Sequence, residues 1–341
     1  MSASSYYADK LSTLADLFGA DVRLDGARLF VGATAYPIVD DVIVLLDPAH
    51  WPISLRLEKS GISPDPGQGA RAWELVQYSF GAEWTEYSRI LPEHRDEFEA
   101  LFDLVDLGSL NGQRVCDLGC GIGRWAHFLA PHCRELVLID FSDAIFAARR
   151  NLRDVRHALF FLGDVTALPF RRDFADFGYC IGVLHHLTIS ALEAVQTQAA
   201  YARRLLVYLY YALDNRPWHY RILLRLIDAI RRRLCSIRDV QVRCAIARLI
   251  AVVIYRPLIG LGHVLDLFGR GHLVPLFETY RGKSLGRIEQ DAYDRFFTSI
   301  EQRVSQRQII ETLSPLFTRV ILSERPPYWH FLCERISDQR R

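Results

Sequence analysis

Short apolar runs alternate with helix-periodic segments from Gln113 to Leu213, and that rhythm narrows the fold more than anything else in the sequence. R-V-C-D-L at 114–118 reads as a buried strand, and R-W-A-H-F-L-A at 124–130 follows as a helix. E-L-V-L-I-D ends a second strand at Asp140, and S-D-A-I-F-A-A-R-R-N-L continues as a helix capped by Ser142 or Asp143. A-L-F-F-L-G-D and F-A-D-F-G-Y-C-I-G-V-L make a third and a fourth strand, Ala191 to Arg204 a helix, and L-L-V-Y-L-Y-Y-A-L a fifth strand. Repeated β-α units of this length predict an α/β fold, a parallel sheet with helices on both faces.

The flanking regions have other rhythms. Residues 1–60 predict a helix and then a small β-hairpin module, with β-rich runs on either side of Tyr36-Pro37 and a turn at Asp40-Asp41. Residues 61–112 begin in a linker, S-G-I-S-P-D-P-G-Q-G at 60–69, and continue in two aromatic helices. The domain that starts at 113 runs to 215. A basic helical insertion of two or three helices is expected over 216–290, where Arg216 to Arg256 holds ten arginines against Asp228 and Asp239. Residues 291–341 return to the core, with a helix at Q-R-Q-I-I-E-T-L and an antiparallel pair, F-T-R-V-I-L-S-E with Y-W-H-F-L-C-E-R.

The turn between the first strand and its helix reads V-C-D-L-G-C-G-I-G-R-W, with Gly119, Gly121 and Gly123 at alternate positions. Glycine lets a ligand approach the backbone because no Cβ intervenes. A nucleotide-hydrolase phosphate loop needs Lys followed by Ser or Thr, which is absent here. The dinucleotide fingerprint needs a glycine where this chain has Arg124. The pattern present is D-x-G-x-G-x-G, with Asp117 two residues before the first glycine. An acid at that place suits a ligand carrying a positive ammonium group better than a pyrophosphate.

This motif, with Asp140 at the end of the second strand, Gly163-Asp164-Val165 after the third and Gly182-Val183-Leu184-His185-His186-Leu187 after the fourth, resembles the class I S-adenosylmethionine-dependent methyltransferases from Val115 to Tyr211. The resemblance implies a Rossmann-like, seven-stranded, mostly parallel sheet, with the small N-terminal β module and the helical insertion after the fifth strand as additions. It implies S-adenosyl-L-methionine as cofactor. The residues it places there are Asp117, Gly119, Cys120, Gly121, Gly123, Asp140 on the ribose hydroxyls, Phe141, Asp164 and Val165 at the adenine edge, and Gly182. Y-P-I-V-D-D-V-I-V-L-L resembles the second half of small zinc-ribbon-like domains. No cysteine precedes Cys116, so the module is read as metal-free.

His185 and His186 are the candidate catalytic pair, since imidazole titrates near working pH. The alternative is a structural role, because methyl transfer needs little beyond alignment. Cys116, Cys120 and Cys133 lack metal-ligand spacing, so no metal is expected. Trp73, Tyr78, Phe80, Trp84 and Tyr87 are read as a packed helix face or as a lid over the cofactor. The expected partner is a small-molecule acceptor, with Tyr293-Asp294-Arg295 and the insertion helping to form its site. An oxygen on a glycan, lipid or secondary metabolite is the first expectation.

A net charge of +1 argues against nucleic acid. Scattered cysteines and an N-terminus without a basic-then-apolar segment predict a cytoplasmic protein without a signal peptide. The apolar run from Leu249 to Gly269 is broken by Arg256-Pro257, His263 and Asp266, so no membrane span is expected. Alternating apolar residues and arginines over 216–256 leave peripheral contact with an anionic membrane open, and oligomeric state is open too. The rival functions are a cofactor-binding protein without transfer activity, a nicotinamide-dependent oxidoreductase and a membrane-surface adaptor.

Overall fold

The strand Arg114–Leu118 is buried at all five positions, and it lies inside an eleven-stranded sheet. In chain order the strands are β1 (Val22–Asp25), β2 (Arg28–Val31), β3 (Thr34–Val39), β4 (Val42–Val44), β5 (Arg114–Leu118), β6 (Glu135–Asp140), β7 (Ala158–Leu162), β8 (Ala175–Ile181), β9 (Ala202–Tyr208), β10 (Arg319–Leu322) and β11 (His330–Glu334). The computed structural model describes residues 4–52, 54–56, 72–214, 218–325 and 328–335. The linker expected at 60–69 lies outside them, as does Arg216.

Spatial order is β1-β2-β3-β4-β7-β6-β5-β8-β9-β11-β10. The run from β7 to β10 holds the seven strands expected. Strands β5 to β9 pair in parallel, and β11 enters antiparallel to both β9 and β10. Chain order reverses between β5 and β8. In open α/β sheets, the crevice beyond the strand C-termini at such a reversal is where ligands bind.

The hairpin module expected over residues 1–60 is an extension of this same sheet. Val42, Ile43 and Val44 are all buried, and β4 pairs in parallel with β7, Ile43 opposite Phe161. Strands β1 to β4 form an antiparallel meander. Asp40 and Asp41 make its last turn with φ of 46° and 61°, the left-handed pair that a two-residue hairpin demands. The short β4 leaves β7 no open edge, which is a physical reason to keep the meander attached.

Apolar side chains pack on both faces of the sheet, one face built around Val137, Ile139, Leu159, Phe161 and Val207, the other around Leu136, Leu138, Phe160, Phe177 and Leu206. Alternate residues of each strand therefore serve opposite faces. The expected helix over Ala191 to Arg204 ends at Gln198, and β9 begins at Ala202. Arg204 sits opposite Glu334 in the β9–β11 register, their side chains 3.3 Å apart. Pairing with β11 draws these residues into the sheet.

The chain divides into two compact units. The first is Met1–Tyr211 with Gln302–Arg341, and the second is Ala212–Glu301. The insertion thus runs beyond the expected boundary at 290. The helix Leu285–Phe297 belongs to it, burying Ile288, Ala292, Tyr293, Phe296 and Phe297. The Arg243 guanidinium lies 5.5 Å from the centre of the Phe297 ring, and Arg231 donates to the Thr298 carbonyl at 2.7 Å. Tyr293-Asp294-Arg295 is therefore part of this helical unit.

The other long helices of this unit are Trp218–Leu234 and a continuous one, Val240–Asp266. Pro257 lies inside the second. A proline there removes one backbone bond and crowds the preceding turn. The helix answers with a π-turn at Ala251–Tyr255, whose wider ring makes room. It is accordingly uninterrupted across Arg256-Pro257, and by length and composition it could cross a membrane.

Candidate functional site

The expected site residues come from four successive turns at the C-terminal ends of β5, β6, β7 and β8, and the structure sets these turns at the reversal of strand order. Asp117, near the end of β5, is 1% exposed. It lies opposite Tyr179 in the β5–β8 register, and the Tyr179 hydroxyl donates to its Oδ2 at 2.8 Å. Burial pushes the Asp117 carboxyl up to about 8 despite that bond. Tyr179 is pushed well up as well, by its own burial and then by Asp117.

Asp140 ends β6 and is also buried. Its Oδ2 accepts from the Gly121 amide at 2.9 Å, and its Oδ1 accepts from the Ser142 amide at 2.9 Å and the Ser142 hydroxyl at 2.6 Å. A carboxylate has about four acceptor positions. Three are thus in use, which leaves about one for a ligand. Burial raises its pKa, opposed by Ser142 and Gly121.

The glycines serve the loop itself more than expected. Gly119, Gly121, Gly123 and Gly182 all have φ between 52° and 86°, where L side chains are strained. A Cβ on Gly119 would fall 2.4 Å from Val183 Cγ2, and one on Gly123 would fall 2.9 Å from Leu152 Cδ1. One on Gly121 would meet the Trp84 ring at 3.5 Å. Their bareness admits protein side chains. At Gly182 a Cβ would meet nothing within 4 Å.

The loop amides are committed too. Gly119 and Cys120 both donate to the Ile139 carbonyl, at 2.8 and 2.9 Å, and Gly123 donates to the Cys120 carbonyl at 2.8 Å. With Gly121 bound to Asp140, these four amides have no bond to spare for a phosphate. Cys120 is buried, and its thiol is pushed well up by burial.

Asp164 is exposed and caps its own turn, its Oδ1 accepting from the Thr166 amide at 2.8 Å and the Thr166 hydroxyl at 2.7 Å. Val165 beside it is buried. Phe141 is half-buried, and its carbonyl accepts from Gln77 Nε2 at 2.6 Å.

His185 is fully buried, its ring stacked on Tyr210 at 3.9 Å and 4.2 Å from the His186 ring. Neither of its ring nitrogens meets a hydrogen-bond partner among the described residues. Burial, then the neighbouring His186 and Arg303, hold its pKa well below the ordinary imidazole value. His185 is therefore neutral at working pH. His186 is also buried, and the Phe80 ring lies 5.1 Å from it.

Phe80 and Trp84 come from the helix Ala72–Glu86, which also holds Phe141 through Gln77. Trp84 thus packs above Gly121, with the Arg124 guanidinium 5.0 Å from its ring centre. Phe80 and Trp84 of the aromatic row thus reach the site. Trp73 instead meets His50 at 4.9 Å.

Sequence reasoning missed Gln302. Its amide N–H donates to the His185 carbonyl at 2.8 Å, its side-chain nitrogen to the Leu187 and Ile189 carbonyls, and its side-chain oxygen accepts from Ala191 at 2.9 Å. This residue fixes the His185 turn from far along the chain, and no local pattern marks it. Tyr179 was legible in principle, since two strands in register put it beside Asp117.

A ligand with an ammonium group, a ribose and an adenine fits these residues on two observations. Space is open beside Gly182, and the buried His185 ring has unmet hydrogen-bonding capacity, which is costly unless something fills it.

Comparison with known proteins gives a match to a family described as a methyltransferase domain over residues 115–204. No curated protein matches. Among solved structures, the YcgJ protein of Bacillus subtilis is similar at 22% identity over 39% of this chain and 58% of that one, with a TM-score of 0.33. This chain therefore spans under two thirds of that protein's length. Magnesium protoporphyrin IX methyltransferase from Synechocystis, with bound S-adenosylhomocysteine, is 15% identical over 76% of this chain and 96% of that one, TM-score 0.43. Phosphoethanolamine N-methyltransferase 1 of Haemonchus contortus is 20% identical over 42% of this chain and 34% of that one, TM-score 0.34.

Proposed function

We infer that this chain, which carries a class I S-adenosylmethionine-dependent methyltransferase domain over residues 115–204, transfers a methyl group to a small-molecule acceptor in the cytoplasm. The observation that carries this reading is the pair of buried carboxylates, Asp117 and Asp140, under a glycine loop whose amides are already bonded. Such a loop favours a cationic or neutral ligand over a phosphate.

The open acceptor position of Asp140 would take a ribose hydroxyl, and Asp117 would face the ammonium group directly or through water. Asp164 and Val165 would flank the adenine. When bound, the cofactor supplies a methyl group already activated by its sulfonium. The chain then has to align the acceptor and keep water out. Trp84 and Phe80 support exclusion of water by covering the turns. His185, neutral and with unmet ring nitrogens, is suited to orient a hydroxyl acceptor by a hydrogen bond, while burial opposes its taking up a proton. The acceptor is proposed to be an oxygen on a glycan, lipid or secondary metabolite, and no nucleic acid.

Calorimetric titration with S-adenosylmethionine and S-adenosylhomocysteine tests the reading. Native protein is expected to bind both at micromolar levels. Asp140→Ala is expected to weaken both by about 100-fold, the loss of one charge-assisted bond and of the bonds that shape the turn. Absence of binding by the folded native protein would overturn the proposal.

A further inference from the structure

We propose that the helical unit of residues 212–301 docks on an anionic lipid bilayer, lying in its headgroup region. Two apolar stripes point to such a surface. On the helix Trp218–Leu234, Trp218, Ile222, Leu226 and Ile230 recur every four residues and are 67%, 47%, 60% and 51% exposed. On the helix Val240–Asp266 and just beyond it, Leu249, Val253, Pro257, Leu261, Val264 and Phe268 recur every three or four residues, all exposed. Exposed apolar surface on this scale marks an interaction face.

The opposite face of the second helix is spoken for. Arg243, Ala247, Ala251, Tyr255 and Gly262 are buried. Arg243 Nε donates to the Ile237 carbonyl at 2.6 Å, and Gly262 lets the Phe277 ring come so close that a Cβ would fall 2.3 Å from it. A helix packed on one face and bare on the other is amphipathic, which suits a bilayer surface. Spanning would carry Arg256, near the middle of the apolar stretch, into hydrocarbon, at a cost the surface position avoids.

Charge selects the occupant. Residues 212–301 hold fifteen Lys and Arg against nine Asp and Glu, while the rest of the chain holds 26 against 31. Arg221, Arg225, Arg232 and Arg233 are exposed beside the first stripe, and none has an ion-pair partner among the described residues. A second copy of this chain would bring like charge against like. A bilayer with anionic headgroups supplies acyl chains for the stripes and phosphates for the guanidinium groups. This inference is independent of the methyl-transfer reading.

Sedimentation of the full-length protein with vesicles tests it. Phosphatidylcholine vesicles containing about one third phosphatidylserine are expected to bind the protein much more tightly than phosphatidylcholine alone, and salt is expected to weaken that binding. Arg225→Gln is expected to weaken binding about fivefold, near the usual contribution of one basic residue. Val253→Glu and Leu226→Glu, both at exposed positions, are expected to abolish it with circular dichroism and cofactor affinity unchanged. Equal binding to neutral vesicles, no binding to either, or a protein that resists alkaline carbonate extraction would overturn the proposal. So would a dimer in solution that Val253→Glu dissociates.

Discussion

At the scale of residues, two buried groups give the protein opposite pH dependences. Asp117 has a folded pKa of about 8, far above the usual carboxylate value. The native state therefore holds a proton that the unfolded chain releases, and stability falls as pH rises from about 4 to about 8. Asp117→Asn keeps an acceptor for Tyr179 and is expected to recover up to about 5 kcal/mol at pH 8 and above, measured by chemical denaturation across pH. The same substitution is expected to weaken cofactor binding. In native protein, the ammonium group would draw the proton off Asp117. Affinity is then expected to rise with pH to about 8, with proton release seen as a buffer-dependent calorimetric enthalpy. His185 acts from the other side. Its folded pKa is held well below the unfolded one by burial, so stability is lost as pH falls below about 6.5. His185→Phe is expected to flatten that acid limb in denaturation, and to lower turnover if the ring orients the acceptor.

At the scale of elements, the close approaches decide what each turn tolerates. Gly119 combines a φ of 86° with Val183 Cγ2 at 2.4 Å from where a Cβ would stand. Gly119→Ala is expected to cost about 2–5 kcal/mol, backbone strain plus overpacking, read from the shift of the unfolding midpoint. The helix Ala72–Glu86 places Trp84 above Gly121. Trp84→Ala is expected to speed both binding and release of cofactor in stopped-flow measurements, with a smaller change in affinity. The strands of the core were legible because each is a short apolar run between turn signals, as R-V-C-D-L shows. The continuation of the sheet into β1–β4 was not legible. That depends on β4 meeting β7, a pairing between residues more than a hundred positions apart that leaves no local mark. The unbroken helix across Arg256-Pro257 was hidden for a different reason. A proline ordinarily ends a helix, and the π-turn that absorbs it depends on packing, not on composition.

At the scale of the whole molecule, the net charge of +1 conceals an acidic remainder and a basic insertion. The candidate site was read from sequence where it is local, in Asp117, Asp140 and the glycine turn. It was not read where it depends on distant chain, in Gln302, and the aromatic row was read as a face or lid without showing that Trp84 is the residue above Gly121. Gln302 and Val304 also hold the point where the chain re-enters the first unit. Val304 donates to the Tyr210 carbonyl at 3.0 Å and bridges Tyr211, while Gln302 bonds across the His185 turn. Departure and return are thus a hydrogen bond apart. The insertion is a cassette strung between two chain positions that the core itself holds together. A short Gly/Ser loop in place of residues 212–301 is expected to leave a folded core whose thermal midpoint and cofactor affinity stay near native. It follows that new helical cassettes could be exchanged at this point while the sheet-bearing chassis stays constant.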